Sequence, residues 1–279
     1  MTEVTLRLLR KPEVTRTFFA TFPSTDEAGQ AVSGIIAAGI LPAAIEMMDR
    51  LAIEAAKAAT GLDWPDVGAA LLMDADGTAA EVEHVSAQAI EVARAAGALE
   101  IRVPRDEAER QLMWRGRKCA FAAVGRISPS YLVEDGVIPR SEIARVLREI
   151  ERMASAVGLR VANVFHAGDG NLHPLVLYDA RNPGEERRAE ELGGEILRLC
   201  IRSGGSITGE HGVGAEKARY MAEQFTSDDL DTMARVRCAF DGLALMNPGK
   251  VFPTPRLCGE RPGPYRPHPL EVAGLVERW

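Results

Sequence analysis

Hydrophobic positions along the chain switch repeatedly between a period of two and a period near 3.6 residues, the marks of strands and of helices with one apolar face. Val4, Leu6 and Leu8 alternate with Thr5 and Arg7, which predicts a strand over Val4–Leu9. Lys11-Pro12 turns the chain, and the Thr- and Phe-rich run Thr15–Phe22 predicts a second strand. Ser24-Thr25-Asp26 carries an N-cap signal, so the Ala-rich run Glu27–Ala38 reads as a helix stopped at Gly39. Ala43–Met48 reads as a strand, Arg50–Ala59 as a helix ended by Gly61, and Val67–Met73 as a buried strand. Val82, Val85, Ala89, Val92 and Ala96 fall at helical spacing, predicting a helix over Ala79–Ala96. Glu100–Val103 is a short strand, and Asp106–Phe121 a helix carrying Trp114, Arg115, Arg117 and Lys118.

Further on, Tyr131–Val133 predicts a short strand leading to Asp135, and Ser141 caps a helix running to Val157. Leu159–Phe165 and Leu175–Tyr178 predict two strands, and Gly184–Ser203 a helix. Ala215–Gln224 and Ser227–Phe240 read as helices, and Asn247–Lys250 as a turn. A proline-rich tail follows Pro253, closing in a short helix over Glu271–Trp279. The mixed order allows parallel or split antiparallel pairing. The section up to Val103 and the section Tyr131–Tyr178 each read as a split βαβ plait sharing one sheet.

Between the strands Leu159–Phe165 and Leu175–Tyr178 lies the chain's densest chemistry, His166-Ala-Gly-Asp-Gly-Asn-Leu-His173. Its glycines permit a tight turn, which brings His166 and His173 together across the bend. A second cluster, Thr208-Gly-Glu-His-Gly-Val-Gly214, adds Glu210 and His211, so these clusters hold three of the chain's 5 histidines. Two neutral imidazoles and a carboxylate suit zinc, manganese, iron or cobalt, and leave open coordination positions as catalytic sites do. Asp169 and Asn171 are candidates to hydrogen-bond those ligands. Glu210 and His211 are adjacent, so in an extended segment their side chains point apart. One would ligate and the other face the substrate as a base, and spacing alone does not assign which. The bland alternative is a pair of loop histidines among capping polar residues.

Composition narrows the function classes. A net charge of -7 over 279 residues gives no electrostatic reason for nucleic-acid binding. The 4 cysteines form no C-x-x-C pair, so neither a cysteine-based zinc site nor an iron–sulfur cluster is suggested, and free thiols are expected. No run approaches the ~18 apolar residues of a membrane span. The Met1–Arg10 segment lacks the apolar core of a signal peptide. No G-x-G-x-x-G follows a predicted strand, so a dinucleotide loop is not expected. Arg115 and Lys118 read as a solvated basic face, and Trp114 as core or interface.

Three segments in fixed order, His166–His173, Thr208–Gly214 and Met246-Asn-Pro-Gly-Lys-Val-Phe252, resemble the C-terminal half of the FAD-linked 2-hydroxy-acid oxidoreductases of the vanillyl-alcohol oxidase superfamily. Glu46-Met-Met-Asp49, Gly116-Arg-Lys118 and Ala123-Val-Gly-Arg-Ile-Ser-Pro129 resemble the flavin subunit of bacterial glycolate oxidases in particular. The resemblance implies an α+β fold, an antiparallel sheet covered by helices as ferredoxin-like plaits, followed by a helical C-terminal region. It implies an FAD-linked oxidase C-terminal (cap) domain over residues 11–253, with residues 1–10 as the last strand of a missing FAD-binding domain and 254–279 as a tail outside the likeness. His166, His173 and Glu210 match the family's zinc or manganese ligands. His211 matches the catalytic base, and Arg117 the arginine that holds the substrate carboxylate. Asn247 and Lys250 match the segment that returns to the flavin. Near Val133 the hydroxyglutarate enzymes carry a lysine, so the apolar residue here implies a small substrate, glycolate or D-lactate.

The implied partners are a flavin-domain subunit and an iron–sulfur subunit of a glycolate oxidase complex, in the cytoplasm or peripheral at the inner membrane. The expected chain is therefore a fragment, a truncated product or half of a split enzyme, binding FAD poorly by itself. Two readings from other classes stand beside this one: a non-catalytic metal-binding assembly module, and a metallohydrolase built on His166, His173 and Glu210.

Overall fold

The computed structural model describes residues 2–8, 10–243 and 245–253. The chain divides into two compact units, Met1–His211 and Gly212–Trp279. The first unit is built on one sheet of nine strands, every pairing antiparallel. Its first half comprises β1 (Val14–Phe22), α1 (Thr25–Ala37), β2 (Ala44–Asp49), α2 (Arg50–Thr60), β3 (Ala69–Gly77), α3 (Ala79–Ala95) and β4 (Glu100–Arg102). Strand order β4-β1-β3-β2 is that of a ferredoxin-like plait. After α4 (Glu107–Ala123) come β5 (Ser130–Val133), β6 (Gly136–Val137), α5 (Ile143–Ala156), β7 (Arg160–His166), β8 (Asn171–Leu172), β9 (Pro174–Tyr178) and α6 (Glu185–Arg202). Here β9 pairs with both β7 and β5, which repeats three strands of the same plait, and β7 joins the two halves by pairing with β2. The expected α+β class and the shared sheet are thus what the chain forms.

Both faces of the sheet are buried, and the strand period of two sorts the side chains between them. Phe18, Ala20, Phe22, Met47, Leu71, Met73, Phe165 and Val176 pack against α1, α3, α5 and α6. Phe19, Met48, Ala70, Leu72, Val164, Leu175 and Leu177 pack against α2 and α4. The second face also takes polar groups from α4. Trp114 Nε1 donates to Asp74 Oδ1 at 3.1 Å, and Arg110 Nη1 to Asp74 Oδ2 at 3.1 Å. Arg115 and Lys118 lie on the exposed side of that helix, as expected, and Trp114 belongs to its inward side.

Some predicted elements differ. No strand forms over the described part of Val4–Leu9; Val4, Leu6 and Leu8 are exposed and pair with no neighbouring strand, and Leu9 lies outside the described residues. Ser141 does not cap α5, which follows a 3-10 turn over Arg140–Glu142 and has no side-chain cap. In the second unit, the predicted helix Ala215–Gln224 reduces to a 3-10 turn over Ala218–Tyr220 and a single turn, α7 (Met221–Gln224). Turns occupy its first residues, where glycines at 212 and 214 adopt positive φ. The next helix, α8 (Ser227–Phe240), begins with a Thr226–Asp229 capping box. The proline-rich tail and the helix Glu271–Trp279 lie outside the described residues. Cys119 and Cys200 are not in disulfides, whereas Cys238 is disulfide-bonded, which departs from the expectation of free thiols; Cys258 lies outside the described residues.

Candidate active site

The site forms where β2, β7 and the two histidine-bearing motifs meet. His166 ends β7 directly opposite Glu46 on β2, a cross-strand pair that puts both side chains on one face. A tight turn over Ala167–Gly170 then returns the chain through β8 to His173, which precedes β9. Gly170 adopts φ 72°, and a Cβ there would collide with the Ile138 carbonyl, so glycine is required for the bend. The rings of His166 and His173 meet edge-to-face with centroids 5.4 Å apart. The proximity expected across the bend is therefore present.

The second cluster supplies the facing wall. Glu210 Oε1 lies 3.0 Å from His173 Nε2, 3.7 Å from His166 Nε2 and 3.7 Å from His211 Nε2. His211 stacks flat on His173, with centroids 5.0 Å apart and planes 5° apart. Glu210 and His211 thus both reach the same imidazole, although an extended segment would send adjacent side chains apart. One atom each from His166, His173 and Glu210 lie within 4.8 Å of one another, and Asp135, His173 and His211 form a second such group. The mouth is open, with His166, His211 and Glu210 side chains 36%, 47% and 51% exposed, while His173 at 6% forms the floor.

Hydrogen bonding fixes how these groups present themselves. Glu46 Oε1 sits 2.8 Å from His166 Nδ1, and the other ring nitrogen, Nε2, faces the Glu210 carboxylate at 3.7 Å. With His173 Nε2 beside them, these groups form a set of nitrogen and oxygen donors of the kind that could hold a divalent metal. His173 Nδ1 is buried and unpartnered, with Asp135 Oδ1 3.9 Å away. Burial pushes His173 below its ordinary pKa, against the smaller opposing pull of Asp135 and Glu210, and so favours the neutral imidazole that a metal requires.

Two buried carboxylates to which the sequence assigned no role, Glu46 and Asp135, organise the site. Glu46 Oε2 accepts from Arg117 Nε at 3.1 Å and Nη2 at 2.7 Å, so Arg117 on α4 is one carboxylate away from His166. Arg117 is itself buried, and its Nη1 makes no hydrogen bond among the described residues. Asp135, wholly buried between β5 and β6, accepts from the Thr208 hydroxyl at 2.8 Å and the backbone N–H groups of Gly209, Glu210 and His211 at 3.0, 3.2 and 2.9 Å. Oriented to satisfy its surroundings, the Asn171 amide donates to Asp135 Oδ1 at 2.9 Å and to the Gly136 carbonyl at 3.3 Å. Asn171 thus acts on the second cluster through Asp135. The Asp169 side chain is exposed and makes no hydrogen bond to either histidine among the described residues. In the second unit, Asn247 and Lys250 bracket a turn in which Asn247 has φ 47° and Arg237 donates to the carbonyls of Met246, Asn247 and Lys250 at 2.6, 3.0 and 3.0 Å.

Among the described residues, no helix is long and apolar enough to cross a membrane. The family model for the C-terminal domain of FAD linked oxidases matches residues 11–251. The glycolate oxidase subunit GlcD of Escherichia coli (strain K12) is 52% identical over 260 residues, covering 93% of this chain and 52% of that protein. The GlcD subunit of Bacillus subtilis (strain 168) is 36% identical over 261 residues, 90% of this chain and 54% of its own length. The chain therefore spans about half the length of the curated relatives it matches. Among solved structures, p-cresol methylhydroxylase with substrate bound shares the fold at a TM-score of 0.64 and 15% identity, covering 86% of this chain and 53% of that one.

Proposed function

The chain belongs to the FAD-linked oxidase C-terminal domain family, and from that premise we propose that it is the substrate- and metal-binding half of an FAD-dependent 2-hydroxy-acid oxidoreductase. The substrate is a small 2-hydroxy acid, glycolate or D-lactate, and the product its 2-oxo acid. The observation that carries this reading is the convergence of His166, His173 and Glu210 within 4.8 Å, with His211 beside them.

In this reading His166 Nε2, His173 Nε2 and Glu210 Oε1 hold a zinc or manganese ion. Such an ion would supply Lewis-acid polarisation of the substrate hydroxyl, and FAD would supply the hydride acceptor for C2. The chain's own residues do the rest. Arg117 receives the substrate carboxylate through Nη1, its other edge being held by Glu46. His211 Nε2 takes the hydroxyl proton as general base. Glu46 keeps the proton of His166 on Nδ1, so that Nε2 remains a ligand atom. The flavin diphosphate is assigned to a flavin domain outside residues 1–279, which span about half the length of the relatives. Asn247 and Lys250 are assigned to the segment that meets it. An iron–sulfur subunit completes the complex, in the cytoplasm or at the inner face of the membrane.

The test separates ligand from base. Zn2+ affinity is measured by calorimetry on the chain, and glycolate-dependent dye reduction after adding a separately produced flavin domain. His166→Ala is expected to weaken Zn2+ binding by tenfold or more, on the order seen when a metal site loses a supporting group. His211→Ala should leave Zn2+ affinity nearly unchanged and abolish most of the dye reduction. Equal loss of Zn2+ in the two variants refutes the division of roles. Zn2+ binding without glycolate-dependent reduction favours a non-catalytic metal-binding module.

A further inference from the structure

Asp135 has no place in the reaction as written, yet it is the most deeply buried charge near the site, with no exposed surface. A lone carboxylate in such a place is costly unless several donors solvate it. Here the donors come from the segment that bears Glu210 and His211. One oxygen, Oδ2, collects the Thr208 hydroxyl and the successive N–H groups of Gly209, Glu210 and His211, all within 3.2 Å. Successive N–H groups converging on one anion form a nest, a concavity that ordinarily receives a bound anion. In this protein the anion is built in.

The elements around Asp135 connect it to both motifs. It directly precedes β6, whose Val137 pairs on one side with Asn171 of β8 and on the other exchanges two backbone hydrogen bonds of 2.9 Å with Ser206. The same two-residue strand thus fixes the start of the second cluster and the return limb of the first. Gly209 has no room for a side chain, since a Cβ would strike the Asn171 amide, which itself donates to Asp135 Oδ1. Wrapping the backbone round one carboxylate is what turns Glu210 and His211 to the same side, toward His173.

We propose that Asp135 is the positioning residue of the site: its buried carboxylate shapes Thr208–His211 so that the third metal ligand and the base both face His173. This rests on the metal-site reading above and deepens it. A backbone with no anion at its centre leaves three N–H groups without partners, and the loop relaxes away from the histidines.

The experiment compares the wild-type chain with Asp135→Asn and with Asp76→Asn, which removes the same charge from an exposed position near the end of β3. Zn2+ affinity is read by calorimetry, and amide hydrogen exchange at Gly209, Glu210 and His211 by NMR on the metal-free protein. Asp135→Asn should lower Zn2+ affinity about 10- to 100-fold, the range for loss of a group that supports metal ligands, and Asp76→Asn should not. In the wild type the three amides should be protected although they lie outside any helix or strand. That protection should fall in Asp135→Asn, while amides in the strand Ala69–Gly77 keep theirs. Wild-type Zn2+ affinity retained in Asp135→Asn, or lost equally in Asp76→Asn, overturns the proposal. So does free exchange of the three amides in the wild type, which stands even if Asp135→Asn fails to fold. If the wild-type chain binds no Zn2+, the metal-site reading fails separately. The exchange pattern then decides whether Asp135 shapes the loop.

Discussion

Truncating Glu46 to alanine removes one partner from two contacts at once. Its side chain is 9% exposed and that of Arg117 is 11% exposed, so neither water nor another acid replaces the lost carboxylate easily. Breaking a buried ion pair from one side costs about 3–5 kcal/mol, because the surviving charge stays buried and unpaired. At about 2–4 °C per kcal/mol for a chain of this size, Glu46→Ala should melt roughly 6–20 °C below wild type. Removing Arg117 as well should restore part of the loss, since no orphaned guanidinium then remains. The assay is thermal unfolding by circular dichroism of the wild type, Glu46→Ala, Arg117→Ala and the double variant, analysed as a cycle. A second consequence falls on His166, which loses the acceptor for Nδ1 and with it the reason for Nε2 to remain a ligand atom. Glu46→Ala should therefore also weaken Zn2+ binding about 10- to 100-fold. Melting within about 2 °C of wild type for Glu46→Ala, or strict additivity in the double variant, would refute the reasoning from a buried, coupled pair.

Asp49 offers a test by pH at the far end of β2. Its carboxyl accepts from Ala52 N–H and from the backbone and side-chain N–H groups of Asn163. Burial nevertheless outweighs those bonds and pushes its pKa up from 3.8 to about 6. A raised folded-state value means a contribution to stability that is complete below pH 3.8 and is lost as pH rises through about 6. The change from 3.8 to about 6 corresponds to about 3 kcal/mol, so between pH 4 and 7 wild type should lose roughly that much relative to Asp49→Asn in urea titrations. An unchanged difference across that range would count against the assignment. Gly209→Ala drives a Cβ into the Asn171 amide and should weaken Zn2+ binding more than tenfold, in the range for disturbed supporting groups; an unaltered affinity would show that the loop yields without moving Glu210.

The fold was legible where apolar positions were dense. The alternation Phe18, Phe19, Ala20, Phe22 separates cleanly onto the two core faces, and the helices over Ala79–Ala95 and Glu185–Arg202 differ from expectation only at their ends. Val4–Leu9 shows the limit of the method: alternation is necessary for a half-buried strand, but a strand also needs a partner edge, which the pattern does not encode. Two-residue strands such as β6 and β8 carry no periodic signal and exist only because the larger sheet holds them. The site divides the same way. Histidines are scarce and glycine-flanked here, so His166, His173, Glu210 and His211 stood out. Glu46-Met-Met-Asp49 carried a likeness but no role for Glu46, Asp135 carried neither, and only the pairing of β2 with β7 and the closure of Thr208–His211 reveal what they touch. A faint signal existed for Glu46, an acidic residue at an otherwise apolar strand centre.

The central claim is that His166, His173 and Glu210 hold one metal ion. Crystals of the chain grown with Mn2+ and measured for anomalous scattering test it directly. A single peak within coordination distance of His166 Nε2, His173 Nε2 and a Glu210 carboxylate oxygen is the expected result. A peak seated instead between Asp135, His173 and His211, or no peak at saturating Mn2+, would contradict the account.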